Sequence, residues 1–298
     1  MKPKIYDDGS SYAWTPEMGE EGIIIRISKS TLGSVDWCAQ QMWLDQNYPR
    51  PQGLVKHLVL GDDVHNGLDL FYQKIEKQNR IMTIRQFKNN KADMTEYLKK
   101  MIPTEKEIIE NRRAENKDFP FYHEDYYRNM DWLMEFENAR IKMASDVLMP
   151  LANEVRLEVK VDMDIEGYGT VPVQFVGIID RVFEAPDGGL MLYELKTGKW
   201  ADYKVDSMRR EMAYYKFLIE NCDSAYLQER NIDRPVTHWG WRYSSADHWM
   251  IEKSKSGIIA MKNRMKKLIK MYIDEEFPIA KENYRFSPCS YCDTLELC

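Results

Sequence analysis

Four cysteines near the two ends of the chain constrain the fold more than any other feature. Cys38 sits in Val35-Asp36-Trp37-Cys38-Ala39-Gln40. Cys289, Cys292 and Cys298 form a Cys-x2-Cys-x5-Cys run in the last ten residues. Four thiolates are enough for one metal centre, either an iron–sulfur cluster or a zinc ion. Such a centre would pin an N-terminal segment to the C-terminal one. The fifth cysteine, Cys222, has no Cys neighbour at metal-ligand spacing and reads as a free thiol. The segment Met1 to Asp8 has no apolar leader, so the clustered cysteines read as ligands in a cytoplasmic protein rather than as a disulfide framework.

The 298 residues suffice for one large domain or two small ones. The charged fraction is 30% and the hydrophobic fraction 44%, an ordinary globular balance, and no apolar run is long enough for a membrane span. A net charge of −6 argues against a general polyanion binder but leaves room for a local basic groove. Residues 1–27 read as an irregular arm ending in the apolar run Ile23-Ile24-Ile25. Ser28-Lys29-Ser30-Thr31 offers N-cap chemistry to a helix over 31–46 that carries Cys38. A second helix is expected over 54–78. Residues 80–148 are charged, aromatic and helical in spacing, with a break at Asp118-Phe119-Pro120. The expectation there is a helical insertion or lid with solvated charged faces.

From Val155 the pattern becomes strands. Val155, Leu157, Val159, Val161 and Met163 alternate with charged residues, as in a half-buried strand. Val171–Phe183 is the next strand, 185–189 a hairpin loop, and Leu190–Lys196 the third strand. A helix over 205–220, strands over 237–243 and 248–253, and a basic amphipathic helix over 255–276 follow. This divides one domain into 1–65 (arm, helices and Cys38), 66–150 (insertion), 151–254 (core) and 255–298 (C-terminal helix and cysteine segment).

The core carries the chemistry. Asp180 and Glu194 each lie seven residues from Asp187. A hairpin symmetric about Asp187 sets the two carboxylates opposite each other on adjacent strands, where like charges repel. A divalent cation between them, Mg²⁺ or Mn²⁺, reverses that penalty. Lys196, two residues past Glu194, projects to the same face, while Leu195 points to the core. A metal lowers the pKa of a bound water, and Lys196 can orient that water or stabilise charge on a phosphate. Alone, Asp-x13-Glu-x-Lys is a common pattern, and its weight comes from the apolar approach Phe175 to Ile179. Gly61 and His65 are four apart, as are Glu211 and Tyr215, at helical spacing. A lone His or Tyr on a helix is more often a packed residue than part of a site.

Together these residues resemble the PD-(D/E)XK nucleases, and within them the RecB-like iron–sulfur branch that includes CRISPR-associated RecB-type exonucleases and the AddB nuclease domain. Ser28-Lys29-Ser30 and Cys38 match the branch's Ser-x-Ser start and single Cys, and Gly61 and His65 its Gly-x3-His helix. Gly177 to Asp180 match Gly-h-h-Asp (h apolar), and Glu194, Lys196, Thr197 and Gly198 match Glu-x-Lys followed by Thr-Gly. Tyr215 matches the Gln-x3-Tyr helix, in which Glu211 replaces the Gln. Cys289, Cys292 and Cys298 match the terminal cysteine run. Region 66–150 has no matching motif.

The resemblance implies an α/β restriction-endonuclease-like core: a central mixed sheet flanked by helices, with a large helical insertion and an iron–sulfur staple joining the two ends. It implies a metal-dependent deoxyribonuclease, often an exonuclease, acting on single-stranded DNA or DNA ends. His65, Asp180 and Glu194 would be ligands of Mg²⁺ or Mn²⁺, Lys196 the catalytic lysine, and Tyr215 a residue placing the DNA backbone or an active-site side chain. Cys38, Cys289, Cys292 and Cys298 would hold a 4Fe-4S cluster, favoured over zinc on the resemblance alone. Partners would be DNA and recombination, repair or CRISPR proteins. Two other readings compete: a DNA-binding or assembly module with a residual site, and a zinc-stabilised protein-interaction domain. The intact Asp180, Glu194 and Lys196 argue against a decayed site. Lys262, Arg264, Lys266, Lys267 and Lys270 could follow a phosphate backbone but read better as a solvated face. Trp239, Trp241 and Trp249 could stack on bases, although strand alternation makes some of them core.

Overall fold

The computed structural model describes residues 17–19, 22–47, 55–78, 80–114, 119–143, 149–246, 248–254 and 258–278. Cys289, Cys292 and Cys298 lie outside the described residues. In chain order the elements are β1 (Glu17–Gly19), β2 (Gly22–Ser28), α1 (Lys29–Trp37), α2 (Ala39–Asn47), α3 (Lys56–Lys77), α4 (Ile81–Asn89), α5 (Thr95–Lys99), α6 (Glu105–Ala114) and α7 (His123–Met143). They continue with β3 (Ala152–Ile165), β4 (Gly169–Glu184), β5 (Leu190–Lys196), α8 (Lys204–Asn221), α9 (Ser224–Glu229), β6 (Val236–Tyr243), β7 (His248–Lys253) and α10 (Ile258–Asp274). All seven strands join one mixed sheet in the order β1-β2-β4-β5-β6-β7, with β3 also paired to β4. The order β3-β4-β5-α8-β6 is the three-strand, helix, strand core expected.

The alternation that predicts β3 holds, with Val155, Leu157, Val159, Met163 and Ile165 buried. β4 and β5 form a hairpin centred on Asp187, with Arg181 opposite Tyr193 and Glu184 opposite Leu190. The Asp187 carboxylate closes the turn by accepting from the Gly189 amide at 3.2 Å. Gly188 has φ +83°, which favours glycine there. Along β5 the period of two divides the core. Leu190 and Leu192 pack with α8 and α10, while Met191, Tyr193 and Leu195 pack with the helices of 56–143.

One edge of β4 is covered along most of its length by β3, antiparallel. The opposite edge is shared. β2 runs parallel to it at Ile25–Ser28 against 173–176, and β5 runs antiparallel at 190–193 against 181–184. The C-terminal ends of β2 and β5 therefore approach each other, and residues 177–180 of β4 have no ladder partner on that side. The unladdered stretch coincides with Gly177-Ile178-Ile179-Asp180.

Four expectations change. The segment at 22–28 is a strand of the sheet, not the end of an irregular arm, because Ile25 and Ile27 are buried through pairing with a strand 148 positions away in sequence. The single helix over 31–46 is two helices: Cys38 is extended at φ −160°, ψ 117° and separates α1 from α2. The short helix α9, capped by Asp223, was not anticipated. The region 66–150 is more than a solvated lid. Its helices cover one face of the sheet, and Arg112, Asn129, Glu137 and Arg140 are buried within them. Charged residues are rarely buried unless paired, so sequence alone assigns them to the surface.

Candidate active site

The open edge of β4 gathers the charged side chains. Glu194 and Lys196 reach it from the end of β5, and Lys29, first residue of α1, reaches it from the end of β2. The Ser28 hydroxyl caps α1 by accepting from the Thr31 amide, while Thr31 Oγ1 reciprocates to the Ser28 amide. This fixes where α1 starts and hence where Lys29 stands. The Tyr214 hydroxyl lies 2.9 Å from both the Ile27 and Val176 carbonyl oxygens, holding β2 against β4 at the mouth of the fork. α8 approaches β4 closely at Gly177, where a Cβ would stand 2.7 Å from Leu218 and 3.3 Å from Tyr215. That contact brings Glu211 and Tyr215 over the fork.

At Asp180 the ladder is interrupted on both sides. Arg181–Tyr193 is the last pair toward β5, and the Leu195 amide donates 2.7 Å to Asp180 Oδ2 instead of to a carbonyl. On the β3 side Asn153 and Val155 pair with Arg181 and Ile179, but Glu154 between them has φ +44° and makes no ladder pair. A side chain thus stands where backbone pairing would continue.

Glu194 is 2% exposed and surrounded by cations. Glu194 Oε1 accepts from Lys29 Nζ at 2.7 Å and from Lys196 Nζ. The same two ammonium groups reach Glu211 Oε1, at 2.5 Å from Lys29 and 2.7 Å from Lys196. Burial alone would raise the Glu194 pKa, but Lys196 and Lys29 outweigh it and hold it far below the usual carboxylate range. Burial would lower Lys196; Glu194 and Glu211 reverse this and raise it well above its ordinary value. Asp180 receives less compensation. Burial, followed by the Glu194 charge, pushes it up to about 7. Glu211 is raised for the same two reasons.

His65 Nδ1 lies 4.0 Å from Asp180 Oδ2, and burial then Arg181 lower its pKa, favouring neutral imidazole. Gly61 lets α3 approach the loop after β5; a Cβ there would stand 3.2 Å from Thr197 Oγ1. The Gly-x3-His pair thus sets His65 beside the strands. Tyr215 is fully buried, with the Lys29 ammonium 5.2 Å from its ring centre. Burial and the Glu194 charge raise its pKa. The ring lies buried against the fork's side chains. Trp239 and Trp241 are core residues, and α10 turns Met261, Met265, Leu268 and Ile269 inward with Lys262, Lys267 and Lys270 outward.

Among the described residues no three His, Cys, Asp or Glu side chains are already grouped to hold a metal ion. Glu194 Oε1 and Glu211 Oε1 are occupied by lysines. The donor types nonetheless suit a hard divalent cation: two carboxylates, a near-neutral imidazole, and a buried Glu194 Oε2 with no hydrogen-bond partner. Cys38 is buried, and its Sγ accepts from the Gln41 amide at 3.4 Å.

Two contributors were missed from sequence. Lys29 carried no signal beyond lying inside Ser-x-Ser, because its partners are 165 and 182 positions away. Arg181, next to Asp180, is buried and pairs with Asp69 at 2.6 Å, and it also donates to the His65 carbonyl at 3.4 Å. It thereby ties β4 to the turn of α3 that carries His65.

The family model of the PD-(D/E)XK nuclease superfamily matches residues 26–298. No curated protein matches the sequence. Solved structures that resemble the chain include one titled "Crystal structure of SSO0001", with 11% identity, 92% of this chain and 85% of that chain covered, and a TM-score of 0.43, too low to support any inference.

Proposed function

The chain belongs to the PD-(D/E)XK nuclease superfamily, and we propose that it is a metal-dependent deoxyribonuclease that hydrolyses phosphodiester bonds in single-stranded DNA or at DNA ends. The observation that carries this is the convergence of Glu194, Lys196 and Glu211 at the fork, next to Asp180 and His65, with one buried Glu194 oxygen unpartnered.

His65, Asp180 and Glu194 would hold Mg²⁺ or Mn²⁺, which when bound lowers the pKa of water and polarises a phosphate. The protein's own groups supply the rest. Lys196 keeps its proton and so presents a positive charge to a non-bridging phosphate oxygen or a donor to the attacking water. Glu211 holds that ammonium in place. Tyr215 packs beneath Lys29 and closes the floor of the fork. The Leu195 amide fixes the Asp180 carboxylate. End-labelled single-stranded DNA should be degraded with Mg²⁺ or Mn²⁺ and stay intact with EDTA. DNA left intact under every divalent cation would refute the reading.

We also propose that Cys38, Cys289, Cys292 and Cys298 hold one 4Fe-4S cluster. The reading is supported by the path of the chain. Pro278 accepts from the Gln40 amide at 3.3 Å, and Phe277 stacks on Trp43 with ring centres 6.1 Å apart. The C-terminal segment therefore reaches within two residues of Cys38 before the cysteine run begins. Anaerobically purified protein should be brown with matched iron and sulfide, and Cys38→Ala should bleach and destabilise it. Colourless protein with one zinc would exclude the iron–sulfur form.

A further inference from the structure

Lys29 has two sides. One faces Glu194 and Glu211 in the fork. The other lines a cleft between α1, α8 and α10, together with Gly33, Asp36, Arg210, Glu211 and Arg264. Three cations and two carboxylates line this cleft, leaving it positive beside the Lys196 ammonium. The two arginines share a single carboxylate. Arg264 pairs closely with Asp36, and Arg210 Nε is only 3.6 Å from the same oxygen, Asp36 Oδ2. At that separation the Arg210 contact is Coulombic rather than a good hydrogen bond, and its side chain is 45% exposed. Gly33 leaves the wall low: a Cβ there would meet nothing within 4 Å.

We propose that this cleft is a phosphate subsite, which receives the backbone phosphate next to the scissile one, with Arg210 and Arg264 as its binding residues and Lys29 as the link between subsite and fork. The inference rests on the nuclease reading. A planar guanidinium offers paired donors suited to phosphate oxygens. Asp36 holds both arginines over the cleft and yields to a phosphate that carries the same charge. Lys29 cannot be withdrawn from the fork without cost, because Glu194 is buried against it. It therefore fixes the distance between the scissile position and the subsite.

The test is binding of a fluorescent single-stranded oligonucleotide to the full chain in EDTA, followed by anisotropy across a salt series, with cleavage in Mn²⁺ measured alongside. Arg210→Ala should bind several-fold more weakly, with the salt slope reduced by about 0.7, as for one lost phosphate contact on a single strand. Arg210→Ala/Arg264→Ala should lose more. Gly33→Leu, which fills the cleft without touching a charge, should also weaken binding. Asp36→Asn should tighten it by releasing both guanidiniums. If Arg264 and Asp36 merely join α10 to α1, Asp36→Asn lowers the melting temperature and does not tighten binding, and the subsite is refuted. Wild-type affinity and slope in Arg210→Ala, with cleavage intact in the parent, overturn the subsite and leave the nuclease standing. A parent that cleaves no DNA overturns both.

Discussion

Asp180 and Arg181 are neighbours on one strand, yet they feed two charged clusters of opposite character. On the insertion side, Arg181 pairs with Asp69, Arg140 with Glu137 at 2.6 Å, and Arg112 with Asp63 at 3.0 Å. These arginines are 1–2% exposed. Each guanidinium there lies within 3.0 Å of its carboxylate. At the fork the cations are lysines, about 30% exposed, two carboxylates share them, and one Glu194 oxygen is left over. The first cluster gives each buried cation one carboxylate of its own, as suits a joint between helices and sheet. The second is mismatched and open on one side, as suits a site that must exchange an ammonium contact for a cation and a substrate. Burying charge is costly in both places, and each keeps a buried polar atom without a hydrogen-bond partner: Arg181 Nε and Nη1 on the insertion side, Glu194 Oε2 at the fork.

Substitutions break this contrast in different observables. Lys196→Ala and Glu194→Ala should lower cleavage by at least about 10²-fold, the scale of losing a preorganised electrostatic group, with circular dichroism unchanged. In the matched cluster, Arg112→Met leaves Asp63 buried without its guanidinium. It should lose about 3–5 kcal/mol of stability, read by urea unfolding, while cleavage per folded molecule stays at the wild-type rate. A matching loss of activity in Arg112→Met would erase the distinction between the clusters.

The pH dependence sharpens it. The Asp180 carboxyl is raised, so the fold favours its neutral form. That contribution is whole below pH 3.8 and is lost as pH rises through about 7. Glu194 works in the other direction: its lowered value adds stability above its ordinary 4.5, lost only in strong acid. Metal-free protein should therefore melt at a lower temperature at pH 8 than at pH 5.5, and Asp180→Asn should flatten the difference. The lowered His65 works against this trend, losing its contribution as pH falls below 6.5, so the comparison is between proteins: the same pH response in the wild type and Asp180→Asn would show that Asp180 is not held neutral. The smallest effect is expected for Glu211→Gln. It keeps the shape of the side chain while removing its charge, and Lys29 and Lys196 keep Glu194, so cleavage should stay within about tenfold, the scale of one weakened charge-assisted hydrogen bond.

Much of this arrangement could be read from sequence where the relevant partners are local. The hairpin about Asp187, the alternation of β3 and the shared face of Glu194 and Lys196 all follow from period-two geometry within residues 155–196. Gly177 was legible as part of a motif, although its reason, the approach of Leu218 on α8, is not. What stayed hidden depends on distant partners. β2 is a strand only because β4 supplies its ladder, and Lys29 is a site residue only because the ends of β2 and β5 meet. Cys38 breaks a helix whose apolar spacing runs straight through it. The buried arginines of the insertion carry no mark in sequence, since pairing across helices is what makes their burial tolerable.

The central claim is that the mismatched cluster at the fork is a metal-dependent phosphodiesterase site. Its most direct test is a Mn²⁺ titration of end-labelled single-stranded DNA cleavage by the wild type and Asp180→Asn, with Mn²⁺ binding followed in parallel by electron paramagnetic resonance. The account predicts saturable cleavage by the wild type that tracks Mn²⁺ binding, and loss of both in folded Asp180→Asn. Cleavage by Asp180→Asn at the wild-type rate and metal dependence would contradict it.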